Sequence, residues 1–301
     1  MKTECLIVGG GPAGLMAATY LGRFRRSVIV IDAGDSRALR IPTSHNLLAF
    51  PDGISGPQLL ERMRIQCDEY GAKRYRGTVA GLNRVEGGFV ADTDLGMIAS
   101  NKVLLATGGL DVEPEVPALK LAVKEGAVRY CPICDAFEAS GKRIGLISYG
   151  KCRVKEALLL HRYASQLTIL SAGQETHLTE AEAALLQSIG AQIVSEPVAQ
   201  FHRTDFGVSA VTKTGDEHGF EILYCALGTR FRSDLAVGLG VPVDEDGAIL
   251  ARDHLRTNVP GMFAAGDIVH GLSQIAVASA HAAIASTAIN AELLEDEYGL
   301  P

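Results

Sequence analysis

The sequence lacks any long uninterrupted run of apolar residues. No such run reaches the roughly 18–20 residues that a membrane-spanning helix requires, so an integral membrane protein is not expected. The first residues, Met1–Glu4, lead directly into a strand-like segment, and no secretory signal pattern precedes it. We therefore expect a protein of the cytoplasm with no membrane partner.

The sequence also lacks an excess of positive charge. It has 28 Lys and Arg residues against 35 Asp and Glu, a net charge of −7, so a nucleic-acid partner is not expected. Of its 301 residues, 47% are hydrophobic and 21% are charged, which is enough apolar material for a large core and unlike a disordered chain. This length suggests about two domains.

Cysteine is scarce and unevenly placed. Four of the six cysteines occur singly in strand-like or helix-like contexts: Cys5, Cys67, Cys152 and Cys225. That pattern is not the disulfide framework of a small secreted protein, which again favours the cytoplasm. No second close-spaced Cys or His pair accompanies the remaining two cysteines, and a structural zinc site usually needs four protein ligands, so we predict no metal.

The remaining two cysteines form the motif Cys131-Pro132-Ile133-Cys134, followed by Asp135. Two cysteines at this spacing can face each other when the first lies at the start of a helix, where partial positive charge stabilises a thiolate. Pro132 suits the first helical position, and Asp135 can move a proton while sulfur changes charge. The motif predicts a dithiol that cycles with a disulfide, against half a zinc site or two inert buried cysteines.

A glycine-rich turn follows the first strand-like segment. Gly9, Gly11 and Gly14 fit the G-x-G-x-x-G spacing of dinucleotide-binding turns. The first glycine allows the tight turn, the second lets a pyrophosphate approach the backbone, and the third lets helix and strand pack closely. Pro12 and Ala13 lie inside this turn and are included among the predicted cofactor contacts.

The surroundings of the turn strengthen this interpretation. A strand at Cys5–Val8 precedes it, a helical pattern at about Leu15–Phe24 follows, and a second strand at Ser27–Ile31 ends in Asp32. An acid at that strand end can hold the hydroxyl pair of a ribose. The segment predicts a dinucleotide-binding βαβ unit rather than a glycine-rich turn without a ligand.

Two later strands end in similar residues. One ends at Thr107-Gly108, and a short one ends at Gly266-Asp267 before a helix of small residues at about Ser273–Leu294. An acid at such a strand end can bind a ribityl hydroxyl, while the next helix presents its N-terminus to a flavin ring. A plain βα turn would account for the same residues without a ligand.

The intervening segments complete the architecture. The polar loop Ser36–Gly53 contains His45, which either contacts the cofactor or shuttles protons, or is an ordinary surface histidine. Lys73–Ala99 alternates apolar and polar residues and predicts an antiparallel β-meander. A proline-rich break at Glu113–Pro117 predicts a domain crossing, and a new buried strand at Arg143–Ser148 opens a second βαβ unit.

Four motifs occur in an order that resembles the low-molecular-weight thioredoxin reductases: residues 9–14, 106–108, 131–135 and 263–267. The likeness covers nearly the whole chain. It implies an α/β fold with two Rossmann-like, three-layer nucleotide-binding domains, in which a discontinuous FAD domain contains the β-meander. The implied boundaries are 1–111 and 232–301 for the FAD domain and 112–231 for the inserted domain.

The resemblance also implies roles for individual residues. Cys131 and Cys134 match the redox pair, with Cys134 facing the flavin and Cys131 the substrate, and Asp135 matches the acid/base. The FAD-site matches are Gly9, Gly11, Gly14, Asp267 and Gln274, with Asp32 offered from its place at a strand end. The resemblance further implies a homodimer and a thioredoxin-like protein or small disulfide as partner.

The second nucleotide site departs from the family pattern. Where a G-x-G-x-x-A turn is expected, the chain has Ser148–Arg153, in which only Gly150 survives. The arginine-rich segment for a 2′-phosphate is replaced by Ser171–Gln174, and Glu175 comes too late to serve NADH. This site is therefore predicted not to bind NADPH in the family's manner, although helix dipole and backbone N–H groups can still bind a coenzyme.

We conclude from the sequence that the protein is an FAD-dependent dithiol/disulfide oxidoreductase whose donor is not NADPH. Ferredoxin or a second flavin could be the donor, since Lys151, Arg153 and Lys155 suit a phosphate or an acidic carrier, or form only a solvated helix face. His45 and Asp52-Gly53 resemble dithiol oxidases that pass electrons to oxygen. The same motifs would also suit an NADPH-dependent reductase or a flavin redox sensor without turnover.

Overall fold

The computed structural model describes residues 1–113, 122–123, 125–148, 152–171 and 178–300, the side chains of Cys152 and Arg153 excepted. Their contacts define two compact units. Unit 1 comprises Met1–Ile41, Ile54–Leu110 and Thr229–Pro301, and unit 2 comprises Pro42–Gly53 and Asp111–Gly228. Most of the predicted crossing at Glu113–Pro117 lies outside the described residues, and the domain limits 1–111, 112–231 and 232–301 stay a prediction.

Unit 1 contains a parallel sheet in the order β3-β2-β1-β6-β16. Its strands are β1 (Lys2–Val8), β2 (Val28–Asp32), β3 (Lys73–Arg76), β6 (Ile98–Leu105) and β16 (Met262–Ala264). The central strands are buried on both faces because helices cover one side and a meander the other, which explains their continuous apolar runs. The expected α/β fold is confirmed.

The meander is shorter than the sequence predicted. It consists of β4 (Val79–Val85) and β5 (Gly88–Thr93), antiparallel to each other and to β6. The first part of the predicted meander, Lys73–Arg76, is instead strand β3, parallel to β2. That prediction was wrong because a helix precedes this segment, and the chain therefore returns in the direction of β2 as a βαβ crossover.

The helices of unit 1 are α1 (Pro12–Arg23), α2 (Gly56–Glu69), α6 (Asp234–Val237) and α7 (Ile275–Tyr298). Helix α1 begins with a proline at its first position, and α2 begins where the Ser55 hydroxyl accepts from the Gln58 N–H. Small alanines on α1 and α7 share one core cluster, so these helices pack closely beneath the parallel strands. Both α1 and α7 begin at the carboxyl edge of the sheet.

Unit 2 repeats the arrangement with a sheet in the order β13-β12-β11-β10-β9-β14-β8. Its strands are β8 (Val128–Arg129), β9 (Arg143–Ser148), β10 (Gln166–Ser171), β11 (Gln192–Thr204), β12 (Gly207–Thr212), β13 (Glu217–Phe220) and β14 (Ile222–Ala226). Strands β8 to β11 and β14 are parallel, and β11, β12 and β13 are antiparallel. This second Rossmann-like sheet confirms the expected fold class.

The described helices of unit 2 are α3 (Pro132–Asp135), α4 (Cys152–His161) and α5 (Glu180–Ser188). Helix α5 begins with a complete capping box between Thr179 and Glu182. Two short strands, β7 (Gly109–Asp111) and β15 (Thr229–Phe231), pair at the points where the chain leaves and re-enters unit 1. Within the described ranges, no helix is long and apolar enough to cross a membrane.

A buried lysine joins β6 to helix α7. The Lys102 ammonium lies 3.0 Å from the Glu292 carboxylate and 2.9 Å from that of Asp296, and Arg256 also contacts Glu292 at 2.8 Å. Burial alone would lower the pKa of Lys102, but the hydrogen bonds to Asp296 and Glu292 outweigh burial and raise the pKa. The charged lysine therefore stabilises the docking of α7.

We expect Lys102→Met to lower the stability of unit 1. Methionine keeps the apolar stem but removes the charge, leaving the half-buried Glu292 with one cation fewer, at a cost of about 1–2 kcal/mol. Thermal unfolding would show a melting temperature several degrees below wild type. The exposed Lys73 on β3 offers a matched control, because Lys73→Met should leave the transition in place. Equal melting temperatures for all three proteins would contradict this account.

Candidate active site

The glycine-rich turn lies at the carboxyl edge of the unit 1 sheet, between β1 and α1. The Gly9 N–H donates to the Ile31 carbonyl oxygen at 2.8 Å. Gly9 has a φ of +111°, and a Cβ there would overlap the carbonyl oxygen of Ala106. Only glycine fits this position, because the backbone approaches that of β6 too closely for a side chain.

The rest of the turn is equally close to its neighbours. A Cβ at Gly14 would overlap the Gly9 carbonyl oxygen, and one at Gly11 would lie 3.0 Å from the Ser36 hydroxyl oxygen. A Cβ at Gly10 would overlap the Asp32 carboxylate, so the acid at the end of β2 lies directly beside the turn. Gly10 and Ser36 were not among the predicted site residues, although both adjoin residues that were.

The end of β16 reaches the same edge. Gly266 has a φ of +83°, and a Cβ there would lie 2.8 Å from the Cβ of Ala13. The neighbouring Asp267 accepts a 3.2 Å hydrogen bond from the Arg37 guanidinium. Burial lowers the pKa of His281 on α7, while the Gly266 main chain and the Asp267 charge oppose that effect. Sequence analysis missed Arg37 and His281, because neither belongs to a motif.

Thr107 and Gly108, at the end of β6, are fixed by a residue far along the chain. The Thr107 hydroxyl donates to the Arg232 carbonyl oxygen at 2.8 Å, and the Arg232 N–H donates to the Gly108 carbonyl oxygen at 3.0 Å. The Arg232 guanidinium contacts both carboxylate oxygens of Asp35, which follows β2. Arg232 therefore links two strand ends, a role that no local pattern indicates.

Two predicted cofactor residues lie outside this cluster of strand ends. Gln274 caps the N-terminus of α7, where its carbonyl oxygen accepts from the Ala278 N–H at 2.8 Å. His45 lies in the loop Pro42–Gly53, whose contacts group it with unit 2; its ring is exposed and adjoins Gly53. The role of His45 stays a prediction.

In unit 2, Cys131 and Cys134 form a disulfide with a Cα–Cα distance of 5.3 Å. Cys131 is the N-cap of α3, Pro132 occupies the first helical position, and the Cys134 N–H donates to the Cys131 carbonyl oxygen at 3.0 Å. Helix α3 is only four residues long. Its dipole is therefore small, and the stabilisation of a thiolate by this helix N-terminus stays a prediction.

The side chains that contact Asp135, the residue after the pair, come from other elements of unit 2. The Asp135 carboxylate accepts a 2.7 Å hydrogen bond from the Tyr224 hydroxyl, and Arg129 lies 3.7 Å from its second oxygen. Burial raises the pKa of Asp135 above its ordinary value, although Arg129 and Tyr224 lower it. An acid with a raised pKa beside a redox pair is suited to proton transfer.

The other described cysteines are suited only to packing. Cys5, Cys67 and Cys225 are free and buried. Burial raises the pKa of Cys5 to about 12 and of Cys67 to about 11, and it raises the pKa of Cys225 as well. Their thiolates are disfavoured near neutral pH. In the described part of the chain, no group of three or more His, Cys, Asp or Glu residues could hold a metal ion.

The predicted departures of the second nucleotide site fall largely outside the described residues. Residues 149–151 and 172–177 are not described, which leaves out Lys151 and Glu175. The side chains of Cys152 and Arg153 are not described either. Ser148, which is described, is fully buried at the end of β9 and donates to the Glu156 carboxylate at 3.1 Å. Burial raises the pKa of Glu156 to about 6.

Two Rossmann-like units, one with a dinucleotide turn and one with a redox-suited disulfide, define a nucleotide-dependent disulfide oxidoreductase. The chain is 29% identical to a thioredoxin reductase of Peptoclostridium acidaminophilum, covering 94% of this chain and 95% of the relative. The thioredoxin reductase structure from Streptococcus pyogenes has a TM-score of 0.90 at 25% identity, covering 98% and 99%. An oxidoreductase structure from Agrobacterium tumefaciens has a TM-score of 0.86 at 26% identity, with the same coverage.

The sequence profile of the pyridine nucleotide-disulphide oxidoreductases matches residues 3–283, and the chain belongs to that family. It is an enzyme, a thioredoxin reductase-like flavoprotein with FAD as its cofactor. The residues at the edge of the unit 1 sheet fit this cofactor. The glycines at positions 9, 11 and 14 keep side chains off the turn, as the approach of a pyrophosphate to the backbone requires.

We expect Gly11→Val to prevent FAD binding. Its branched side chain would project toward Ser36 and into the space that the pyrophosphate needs. The measurement is the molar ratio of FAD to purified protein, with circular dichroism as a check of folding. Gly219→Val is the matched control, because a Cβ at Gly219 meets open space. A folded Gly11→Val protein with about one FAD per chain would refute the placement.

Proposed function

We propose that this protein is an FAD-dependent reductase of a disulfide in a thioredoxin-like protein or a small molecule. The observation that carries the proposal is the Cys131–Cys134 disulfide, followed directly in the chain by the partly buried Asp135 carboxyl. The family membership and the thioredoxin reductases among its relatives support it. Placement in the cytoplasm, which the cysteine pattern favours, and a homodimeric state, which the family resemblance implies, belong to the same proposal.

The chemistry is thiol–disulfide exchange. FAD held at the glycine turn of unit 1 would, once reduced by the electron donor, supply the electron pair needed to open the Cys131–Cys134 disulfide. The Cys131 thiolate attacks one sulfur of the partner disulfide, forms a mixed disulfide and releases the partner's first thiolate. Cys134 then attacks the Cys131 sulfur, restoring the disulfide and releasing the second thiolate. The partner gains two electrons, the cysteine pair loses two, and Asp135 gives a proton to a departing thiolate.

Two exposed apolar side chains support a partner that approaches the cysteine pair. Ile133, inside the motif, is 60% exposed, and Phe137, just after it, is 77% exposed. The two residues lie four positions apart in the sequence, one inside the motif and one shortly after α3. They suit the apolar surface that surrounds a disulfide in a partner protein.

The cofactor contacts that we propose for FAD belong to four strand ends, the first turn of α1 and the N-cap of α7. They are Gly9, Gly11, Pro12, Ala13, Gly14, Asp32, Thr107, Gly108, Gly266, Asp267 and Gln274, with His45 added from the sequence. The turn provides the approach to the pyrophosphate. Asp32 is suited to ribose hydroxyls and Asp267 to a ribityl hydroxyl.

We also propose that NADPH is not the efficient donor. At the end of β9, Ser148 stands where a glycine is expected, and its hydroxyl contacts the partly buried Glu156. The sequence at Ser171–Gln174 provides no arginine, and arginine forks normally bind a 2′-phosphate. A carrier protein such as ferredoxin, or a second flavin, is then the donor. In the alternative of a dithiol oxidase, electrons would flow in the opposite direction, from a small dithiol through the flavin to oxygen.

We predict that Cys134→Ser will trap a mixed disulfide. Without Cys134, the adduct formed at Cys131 cannot be resolved, so incubation of the variant with a small aromatic disulfide should add the mass of one arylthiol. Cys131→Ser should form far less adduct, and both variants should lose disulfide turnover. Intact-protein mass spectrometry is the measurement.

Cys67→Ala serves as the control for this experiment, because Cys67 is buried on α2 of unit 1, whereas the motif belongs to unit 2. It should keep wild-type turnover and form no stable adduct. A stronger adduct in Cys131→Ser than in Cys134→Ser would exchange the two roles. Turnover retained in both motif variants would make the pair structural.

We expect micromolar NADPH to reduce the flavin slowly or not at all. Losing one charge-assisted contact costs roughly 1.5–3 kcal/mol, and two such losses weaken binding by about two to four orders of magnitude. Anaerobic stopped-flow mixing, followed through flavin absorbance, tests this with NADPH, NADH, reduced ferredoxin and a small dithiol. Rapid bleaching of the flavin by NADPH would contradict the proposal and indicate an ordinary NADPH-dependent reductase. Bleaching by the dithiol, followed by fast reoxidation in air, would indicate a dithiol oxidase.

A further inference from the structure

Tyr224 is a fully buried tyrosine on β14 whose hydroxyl meets the residue after the cysteine motif. The hydroxyl donates to Oδ1 of Asp135 at 2.7 Å, although 89 positions separate the two residues in the chain. The ring packs in the core cluster that includes Leu146 and Ala136. A phenylalanine ring would fill the same space in the core, so packing alone does not account for the hydroxyl.

The other oxygen of Asp135 faces a cation. Nη1 of Arg129 lies 3.7 Å from Oδ2 of Asp135 and donates to its main-chain carbonyl oxygen at 2.8 Å. Arg129 is itself held by a 3.0 Å hydrogen bond from its Nε to the Gly126 carbonyl oxygen. The Asp135 carboxyl, at the end of the one-turn helix α3, is therefore contacted from two strands, β8 and β14.

Three ionisable groups from the surrounding elements act on Asp135. Burial raises the pKa of Asp135, Arg129 and the Tyr224 hydrogen bond lower it, and Glu138 on the following turn raises it. Tyr224 in turn has its pKa raised by burial and by Asp135, so its hydroxyl stays a donor throughout the physiological range. A permanent donor to Oδ1 stabilises the carboxylate more than the carboxylic acid.

We propose that Tyr224 is a positioning residue for Asp135, orienting its carboxyl and stabilising the carboxylate that remains after proton transfer. This inference rests on the proposed function, in which Asp135 gives a proton to a departing thiolate. In that step the carboxyl O–H bond breaks, an S–H bond forms, and the new negative charge on Asp135 is met by the Tyr224 hydroxyl and by Arg129. The step is a proton transfer, and no group is oxidised or reduced in it.

The test is Tyr224→Phe, which removes only the hydroxyl. Carbon-13 NMR of labelled aspartate in the holoenzyme follows the Asp135 carboxyl directly, with Asp135→Asn used to assign its signal. We expect the titration of Asp135 to move upward by about one pH unit, because a donor to the carboxylate has been lost. The limb of the pH–turnover profile that requires the protonated acid should move upward by the same amount.

Two further proteins complete the design. Tyr163→Phe is the control, since Tyr163 packs against the same core cluster; the Asp135 titration should stay in place. 3-Fluorotyrosine at position 224 keeps the shape of the ring but is a stronger donor, so both the titration and the profile should move downward. This protein also tests the inference if Tyr224→Phe does not fold.

The outcomes separate this inference from the proposed function. An Asp135 titration that is the same in wild type, Tyr224→Phe and the fluorinated protein would overturn the positioning role, whatever the turnover. Shifts in opposite directions for the two proteins, with matching shifts of the pH profile, would establish it. A shifted titration together with full turnover in Asp135→Asn would remove Asp135 from the proposed mechanism while leaving the contact itself intact.

Discussion

The close approach of two backbones at Gly9 is the constraint on which unit 1 depends. The turn after β1 passes so near the end of β6 that a Cβ would overlap the Ala106 carbonyl oxygen. The same turn allows α1 to begin at Pro12 and brings Gly14 against the Gly9 carbonyl. An enzyme that must expose bare backbone to a pyrophosphate cannot have side chains here, so the requirements of packing and of cofactor binding coincide.

The cysteine pair depends on a different kind of constraint. Its spacing allows the disulfide, but helix α3 has four residues and supplies little dipole. Proton chemistry at Asp135 is instead governed by burial and by two neighbours from the sheet, Arg129 and Tyr224. The geometry of the cysteine pair is thus local. The groups that shift the pKa of Asp135, by contrast, include side chains on strands distant in the sequence.

Most elements could be predicted because their signals are local. The strand Arg143–Ser148 and the helix at about Leu15–Phe24, observed as Pro12–Arg23, were both expected from apolar runs and periodicity. Lys73–Arg76 was assigned to the meander in error, because alternation of polar and apolar residues does not reveal which neighbour a strand pairs with. Strand partners depend on the crossover before the strand, which here is helix α2.

Local patterns were sufficient to predict the glycine turn at Gly9–Gly14 and the cysteine pair, because each depends on residues within a few positions of one another. The two-domain fold was predicted from the succession of strand and helix patterns together with the family resemblance. The surroundings of these motifs became visible only in the folded structure. Tyr224 meets Asp135 because the register of β14 in the sheet places it there, and Arg232 joins two strand ends across more than a hundred residues. Contacts between distant segments are fixed by packing and strand register, which no local pattern encodes.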